Sequence, residues 1–147
     1  MEPRIGQLEA AIVTAASAHG STEATYADLP YILHPLRVMA KVERYGIDHM
    51  IVAVLHDVLE DTQLDVGSLI RIGIPAQHIK AVEVLTRQRD HEEKPETYGT
   101  YMARVKVDPL TRRVKLADIK DHLDHGKTLT DSLRRRYERA QHYLWSA

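Results

Sequence analysis

The chain has 147 residues, of which 44% are apolar and 28% are charged, values typical of a globular domain with a core of its own. Its formal net charge of −1 gives no overall attraction for nucleic acid, and no apolar stretch is long enough to span a membrane. Because cysteine is absent, disulfides and thiolate sites are excluded, and we expect a cytoplasmic protein without nucleic-acid or membrane partners.

Apolar residues at helical spacing, together with helix start and stop signals, predict eight helices. In chain order they are expected over residues 4–19, ending at Gly20; from Pro35 to about Gly46; from Asp48 as N-cap to Asp61; from Asp65 to Gly73; from Pro75 to about Thr86; from Thr97 to about Val105; from Pro109 to about Leu123; and from Thr128 or Thr130 to about Trp145. Residues 20–32 and 87–96 are expected as loops. Strands are not expected, because no stretch alternates apolar and polar residues.

The predicted fold class is therefore all-α. We expect one compact bundle of seven to eight helices, with residues 1–147 forming a single domain.

The stretch MIVAVLHDVLED, residues 50–61, is the centre of the predicted fold. At about 100° per residue, its polar side chains fall within one arc of an otherwise apolar helix: His56, Asp57, Glu60 and Asp61. A helix that is apolar on most sides is buried. An unpaired charge there costs several kcal/mol, so the pattern predicts a positive charge inside the fold, for which a metal ion is the compact solution.

Two further short sequences complete a pattern around this helix. They are YILHPLRV, which contains His34, and VKLADIKDHLD, which contains Asp118. With AVLHDVLEDT and LTR, they resemble the HD-domain phosphohydrolases, and among these the hydrolase domain of the Rel/Spo proteins and the free-standing small alarmone hydrolases. The resemblance covers about residues 5–125. It implies an HD-domain bundle that hydrolyses the 3′-pyrophosphate of (p)ppGpp.

The same resemblance implies which residues form the site. One divalent metal ion would be bound by His34, His56, Asp57 and Asp118. This mixture of imidazoles and carboxylates suits Mn, Fe or Zn better than Mg or Ca, and family precedent favours Mn. Glu60 and Asp61 would orient or activate the attacking water. Asp121, His122 and His125 continue a polar stripe after Asp118, so a surface position for that helix face stays open.

Two positions depart from the family pattern. The family has a basic pair in the loop before the His-Pro motif, whereas no Lys or Arg lies between Arg4 and Arg37 here. The family Asn four residues after the metal-binding Asp is replaced by His122. The substrate phosphates are then expected on other basic residues, or the substrate is a different phosphate compound. The candidate substrate contacts are Lys115, Arg87, His122 and Tyr26, with Tyr26 stacking on a ring and with Arg104 and Lys120 as further basic candidates.

The basic residues concentrate at the C-terminal end. Residues 104–147 carry eleven basic and six acidic side chains, a net charge of +5. This charge indicates either a solvated helix face or a surface for a partner or a phosphate group.

Three classes of function are compatible with the sequence. The first is an alarmone hydrolase, or an HD phosphohydrolase that acts on another nucleotide or phosphate ester. The second is a non-catalytic HD module that holds a metal or a nucleotide, and the third is a structural helical adaptor. The presence of all four metal ligands and the acidic pair favours the enzyme. Its partner would be a small nucleotide or phosphate substrate, and the sequence does not specify an oligomeric state.

Overall fold

The computed structural model describes residues 3–126 and 129–146. Within these ranges the chain forms α-helices, one 3₁₀ turn at Glu43–Tyr45 and a two-stranded hairpin. The elements are α1 (Pro3–Thr22), β1 (Thr25–Tyr26), β2 (Leu29–Pro30), α2 (Leu33–Lys41), α3 (Ile47–Leu55), α4 (Val58–Asp61), α5 (Val66–Ile72), α6 (Ala76–Val84), α7 (Tyr98–Lys106), α8 (Pro109–His125) and α9 (Asp131–Trp145).

Helix α3 is the centre of the bundle. Its residues from Ile51 to Leu55 are completely buried, and α1, α2, α6 and α8 pack around it. A helix with apolar residues on every side can be stable in water only when neighbouring helices cover all of its faces. The predicted all-α class and the central position of this stretch are confirmed. In the described part of the chain, no helix has the length and apolar content needed to cross a membrane.

Most of the helix-capping residues lie where the sequence predicts them. The Asp65 side chain accepts a hydrogen bond from the backbone of Ser68 in a capping box, and Gly73 ends α5 in the left-handed conformation. Thr97, Asp108 and Thr130 cap α7, α8 and α9. Capping satisfies backbone N–H groups that have no partner inside the helix. The alternative start at Thr128 lies outside the described residues.

The central helix differs from its prediction at both ends. Asp48 is not its N-cap, because the helix begins at Ile47 after Gly46, and the Asp48 carboxylate accepts a hydrogen bond from His78 Nε2 at 2.9 Å instead. The helix also divides into α3 and α4 at His56 and Asp57, where the His56 N–H bonds to Ala53 O in a tighter turn. This division gives nine α-helices in the described ranges instead of seven to eight.

The region predicted as a loop over residues 20–32 contains structure that the sequence did not reveal. Helix α1 continues through Gly20 to Thr22, and β1 and β2 form an antiparallel hairpin. Ala27 and Asp28 form its turn with positive φ angles of 51° and 68°, the conformation that tight two-residue hairpin turns need. Strands of two residues are too short to show alternation, so the expectation of no strands was wrong at this hairpin.

The left-handed conformation of Gly73 gives a test of the end of α5. Gly73 has φ +98°, where a Cβ is strained, whereas Gly20 lies inside α1 with open space around it. Gly73→Ala should lower the free energy of unfolding by about 1 kcal/mol. Gly20→Ala should leave it unchanged or raise it by up to about 1 kcal/mol. Urea denaturation of both variants measures the difference, and equal effects would contradict the capping role of Gly73.

Candidate metal centre

Four helices bring the predicted metal ligands together at the middle of the bundle. His34 lies in the first turn of α2, His56 and Asp57 lie at the junction of α3 and α4, and Asp118 lies in the middle of α8. Helix α8 packs against both α2 and α3. His34, His56 and Asp118 are each less than 5% exposed. The cluster is therefore a buried polar site inside an apolar bundle.

The ligand atoms of this cluster lie at distances that suit one metal ion. Asp118 Oδ1 is 2.9 Å from His34 Nε2 and 3.3 Å from His56 Nε2. Asp57 Oδ2 is 3.1 Å from His56 Nε2 and 3.7 Å from His34 Nε2. Ligands that bind a metal at roughly 2.1 Å are separated from one another by about 3.0–3.4 Å at octahedral or tetrahedral angles. The atoms of His34, His56 and Asp118 lie within 4.8 Å of one another around a position that a divalent ion fits, and Asp57 Oδ2 lies beside the two histidines.

The hydrogen bonds of His34 fix which of its nitrogens faces this position. A carboxylate only accepts hydrogen bonds, so His34 Nδ1, 2.7 Å from Asp121 Oδ2, is the N–H that donates. In the neutral ring Nε2 then carries a lone pair, and it faces Asp118 Oδ1. Two lone pairs at this distance repel each other unless a proton or a metal cation lies between them. A carboxylate that orients a histidine through its second nitrogen is a common support of metal-binding histidines.

His56 has the same arrangement with a backbone partner. Its Nδ1 donates to Ala53 O at 2.7 Å, so in the neutral ring Nε2 carries the lone pair. His56 Nε2 is buried, has no hydrogen-bonding partner and points toward oxygens of Asp57 and Asp118. A buried polar atom without a partner is unfavourable by about 1–3 kcal/mol. The donor set and this unpartnered nitrogen both fit a bound metal ion.

The cluster also shifts the pKa values of its members in the metal-free protein. Burial lowers the pKa of His56, but the charges of Asp57 and Asp118 outweigh burial and raise it well above its ordinary value. Burial raises the pKa of Asp118, but the positive charges of Lys115 and His56 outweigh it and hold that pKa well below its usual range. The centre therefore favours a cation, and protons occupy it when no metal does.

Glu60 and Asp61 form an acidic rim beside the ligands, as the predicted arc of the central helix requires. Oxygens of Asp57, Glu60 and Asp61 lie within 4.8 Å of one another, and both rim residues are exposed. Glu60 Oε1 accepts a hydrogen bond from the backbone N–H of Arg87 at 3.3 Å. The Tyr31 hydroxyl donates to Asp57 Oδ2 at 2.5 Å and to Asp61 Oδ2 at 3.4 Å, which links the rim to a ligand.

Lys115 lies inside the centre, one turn before Asp118 on α8. Its Nζ is 2.9 Å from Asp118 Oδ2, the oxygen that does not face the histidines. Lys115 also lies over the Tyr101 ring, 5.1 Å from the ring centroid, and only 12% of its side chain is exposed. The lysine thus neutralises one side of Asp118 and leaves the other oxygen for a cation.

Asp121 is a residue of this centre that the sequence analysis placed on a polar, surface-like stripe. It is completely buried, and besides His34 it binds Arg37 with two hydrogen bonds, of 2.7 and 3.0 Å. The spacing of residues in the sequence contains a signal for this contact. His34 and Arg37 lie three residues apart on α2, and Asp118 and Asp121 lie three residues apart on α8, so each pair shares a helix face. Tyr31 is a second residue that the sequence analysis did not assign.

Aromatic rings cover the histidines on the side of the hairpin. The Tyr26 ring stacks on His34 with centroids 4.7 Å apart, and its hydroxyl hydrogen-bonds with His122 Nδ1 at 3.1 Å. His122 stacks on Tyr137, and its Nε2 is 3.3 Å from Asp118 Oδ1. Tyr26 and His122, two of the four predicted substrate contacts, therefore touch metal-ligand candidates directly.

The other basic candidates lie farther from the ligands. The Arg87 side chain donates through Nε to Glu96 O at 2.9 Å. Arg87 contacts the site through its backbone N–H, which donates to Glu60. Arg104 donates to Val84 O and pairs with Glu96. Lys120 pairs with Asp124 on an exposed face of α8. Of the basic side chains predicted for the phosphates, Lys115 is the one in contact with a metal-ligand candidate.

Comparison with known proteins finds a related sequence and related solved structures. No model of a protein family matches the chain. Over 104 residues the chain is 36% identical to a guanosine-3′,5′-bis(diphosphate) 3′-pyrophosphohydrolase of Aquifex aeolicus (strain VF5). This similarity covers 68% of the chain and 14% of that relative, so the chain spans about one seventh of the length of the curated protein it matches.

One of the solved structures similar to this chain is that of a metazoan orthologue of SpoT, which hydrolyses ppGpp and plays a role in starvation responses. It superposes with a TM-score of 0.71, covers 94% of this chain and 83% of that chain, and is 18% identical in sequence. The chain therefore has the HD-domain helical fold. The resemblance to the alarmone hydrolases, suggested by the short sequence strings, is confirmed.

The acidic rim leads to a prediction about pH. Partial burial and the charges of Asp57 and Glu60 together raise the pKa of the Asp61 carboxyl from an ordinary 3.8 to about 6. The folded protein then binds this proton more tightly than the unfolded chain, so stability decreases as pH rises from about 4 to about 6. Asp61→Asn should raise the unfolding free energy of the metal-free protein at neutral pH, and this gain should shrink toward about pH 4.

Urea denaturation at both pH values in the presence of a chelator measures this effect. Asp124→Asn, which alters an exposed carboxylate on α8, is the matched control and should show no gain at neutral pH. A gain from Asp61→Asn that is the same at both pH values would contradict the raised pKa.

Proposed function

We propose that this chain, which has the HD-domain fold and is similar in sequence to ppGpp hydrolases, is a metal-dependent phosphohydrolase of the (p)ppGpp 3′-pyrophosphohydrolase type. The observation that carries the proposal is the position enclosed by His34, His56, Asp57 and Asp118. There the Nε2 atoms of two imidazole rings face carboxylate oxygens at 2.9–3.7 Å, and an acidic pair lies beside them. A structural adaptor has no need for such an arrangement, and a non-catalytic module has no need for the acidic rim.

The proposed role of each residue follows from its contacts. His34, His56, Asp57 and Asp118 would hold one divalent ion, and the mixed nitrogen and oxygen ligands favour Mn, with Fe or Zn as alternatives. A bound divalent ion lowers the pKa of water and neutralises charge on a phosphoryl group. Glu60 and Asp61 would orient the attacking water and accept its proton, because both lie at the open rim. Tyr31 holds Asp57 and Asp61 in register through its hydroxyl.

The substrate contacts are proposed on the open side of the centre. Lys115 and Arg87 are the basic side chains that would meet phosphate oxygens. Tyr26 and His122 would contact the sugar or the ring, or position His34 and Asp118, which they touch. A pocket of about 310 Å³ adjoins the rim and is lined by residues that include His19, Thr25 and Tyr31. No Lys or Arg lines it, which favours a substrate whose phosphates lie nearer the metal.

The remaining expectations rest on general features. One hydrophobic core connects the helices, which supports a single domain over residues 1–147. The substrate class is a small nucleotide or phosphate compound, and the absence of cysteine is compatible with a cytoplasmic location. The net charge of −1 gives no general attraction for nucleic acid.

Substitutions around His34 test the metal site. His56→Ala should abolish Mn²⁺ binding, because it removes a ligand. Asp121→Asn should weaken Mn²⁺ binding by about 10–100-fold, because it weakens the hydrogen bond that orients His34. The control is Asp124→Asn, which alters an exposed carboxylate on α8, the helix that also carries Asp121. This variant should bind Mn²⁺ as tightly as the unaltered protein does. Calorimetric titration of each variant, with folding checked by circular dichroism, measures the affinities, and unchanged binding by His56→Ala would refute the site.

The acidic rim is tested by Glu60→Gln, which keeps the size of the side chain and removes its charge. Turnover should fall by about 10²–10⁴-fold while metal binding is retained, because the side chain can no longer accept a proton. Turnover on ppGpp and Mn²⁺ affinity are measured on the same preparation. Unchanged turnover with metal bound would exclude Glu60 as the base.

Substrate identity is tested by steady-state kinetics on ppGpp, nucleoside monophosphates and other diphosphates. The KM for ppGpp should be higher than in a relative with the basic pair, because this hairpin carries no cation. Thr25→Lys, which adds a charge in the pocket beside Tyr31, should lower it by about tenfold or more. Ser17→Lys, on the exposed face of α1, is the control. A low-micromolar KM in the unaltered protein would show that other groups hold the phosphates.

A further inference from the structure

A second concave site lies on the other side of α8 from the metal centre. It is a groove of about 770 Å³ between the end of α2, the 3₁₀ turn Glu43–Tyr45, α8 and the end of α9. This volume lies within the range of sites that bind small molecules. None of the proposed metal ligands lines it, and neither does the acidic pair.

Helical geometry separates the groove from the metal centre. At about 100° per residue, Arg113, Leu116 and Lys120 point about 140–160° away from Asp118 around the axis of α8. These three residues line the groove, whereas Asp118 faces the histidines. The two sites therefore use opposite faces of one helix.

The groove is strongly basic. One carboxylate, Asp124, lines it, against five basic side chains: Lys41, Arg44, Arg112, Arg113 and Lys120. Lys120 pairs with Asp124, and Lys41 lies 3.6 Å from Asp121. Within residues 3–126 and 129–146, no carboxylate forms an ion pair with Arg44, Arg112 or Arg113. Several like charges around one concavity repel one another and create a field that attracts anions.

Uncharged groups contact the guanidinium groups of Arg44, Arg112 and Arg113 and hold them in place. Arg44 and Arg113 lie over the Tyr45 ring, 4.8 and 4.3 Å from its centroid. Arg112 Nη1 donates to Lys106 O at 3.4 Å. These contacts order the side chains without neutralising them. Ordered guanidinium groups match phosphate oxygens in geometry as well as charge.

An exposed aromatic ring borders the same groove. Trp145, at the end of α9, is the single tryptophan of the sequence and is 67% exposed. A large ring left in water beside guanidinium groups is the arrangement on which planar bases stack in proteins that bind nucleotides or single strands. The ring and the arginines together present a stacking surface next to an anion-binding surface.

We propose that this groove is a second ligand site, which binds a nucleotide with its base on Trp145 and its phosphates on Arg44, Arg112 and Arg113. It lies outside the proposed catalytic centre and does not depend on that activity. A mononucleotide is favoured over a nucleic-acid strand because the concavity has the volume of one small ligand and the net charge of the whole protein is −1.

The single tryptophan makes the groove directly measurable. GTP is titrated into the protein in the presence of a chelator, so that no metal-dependent hydrolysis occurs, and Trp145 emission is followed. We expect a saturable change. Inorganic triphosphate should compete, because it occupies the arginines, and guanosine should bind more weakly than GTP. Arg112→Glu should weaken GTP binding at least about tenfold, because a favourable contact becomes a repulsion.

Lys80→Glu is the matched control, since it makes the same charge change on an exposed part of α6 away from the groove. It should leave the GTP affinity unchanged, and Arg112→Glu should keep the turnover of the unaltered protein. The proposal is overturned if Trp145 emission does not change up to millimolar GTP. It is also overturned if Arg112→Glu binds GTP normally, or if only oligonucleotides bind. None of these outcomes depends on whether the protein hydrolyses ppGpp.

Discussion

The contact of His34 with two carboxylates of α8 is the interaction on which the centre of this protein depends. Asp121 and Asp118 lie three residues apart, and the imidazole ring lies between them, with Nδ1 at 2.7 Å from one and Nε2 at 2.9 Å from the other. Both carboxylates are buried, so each needs a cation or a hydrogen-bond donor on every side. Arg37 and Lys115 supply this on the outer sides. In the space between His34, His56 and Asp118, the negative charge of Asp118 still requires a cation or a hydrogen-bond donor.

The central helix is interrupted at this centre. At the junction of α3 and α4 the turn tightens at His56, whose N–H bonds to Ala53 O. His56 Nε2 lies 3.1 Å from Asp57 Oδ2, and Glu60 and Asp61 follow one turn farther, at the rim. Apolar packing of Ile51–Leu55 on all sides fixes the helix that precedes the turn. The rigid core thus holds a short polar segment in a defined orientation, which a metal site requires.

The hairpin before α2 packs against the candidate metal ligands. Tyr26 stacks on His34 and bonds with His122, so this segment supports the ligand ring with an aromatic contact. The basic pair of the alarmone hydrolases is absent from it. Positive charge lies instead on α8 and α9, partly at the centre through Lys115 and partly in the groove that Trp145 borders. The two sides of α8 therefore meet different chemistry: histidines and carboxylates on one side, and arginines with Trp145 of α9 on the other.

The sequence by itself determined the helical class, the burial of residues 51–55 and the clustering of His56, Asp57, Glu60 and Asp61, because these follow from periodicity and charge within short segments. Its short motifs also indicated His34 and Asp118, by resemblance.

Only the tertiary structure decided what depends on pairing between segments distant in sequence. The burial of Asp121 depends on α8 meeting His34 and Arg37 of α2, more than 80 residues away. At the start of the central helix, Asp48 contacts His78 of α6 and is not the N-cap. The hairpin depends on the backbone of Ala27 and Asp28, which adopt a conformation that their side chains do not favour by themselves. Local propensity cannot specify these features, because their stabilising contacts come from elsewhere in the chain.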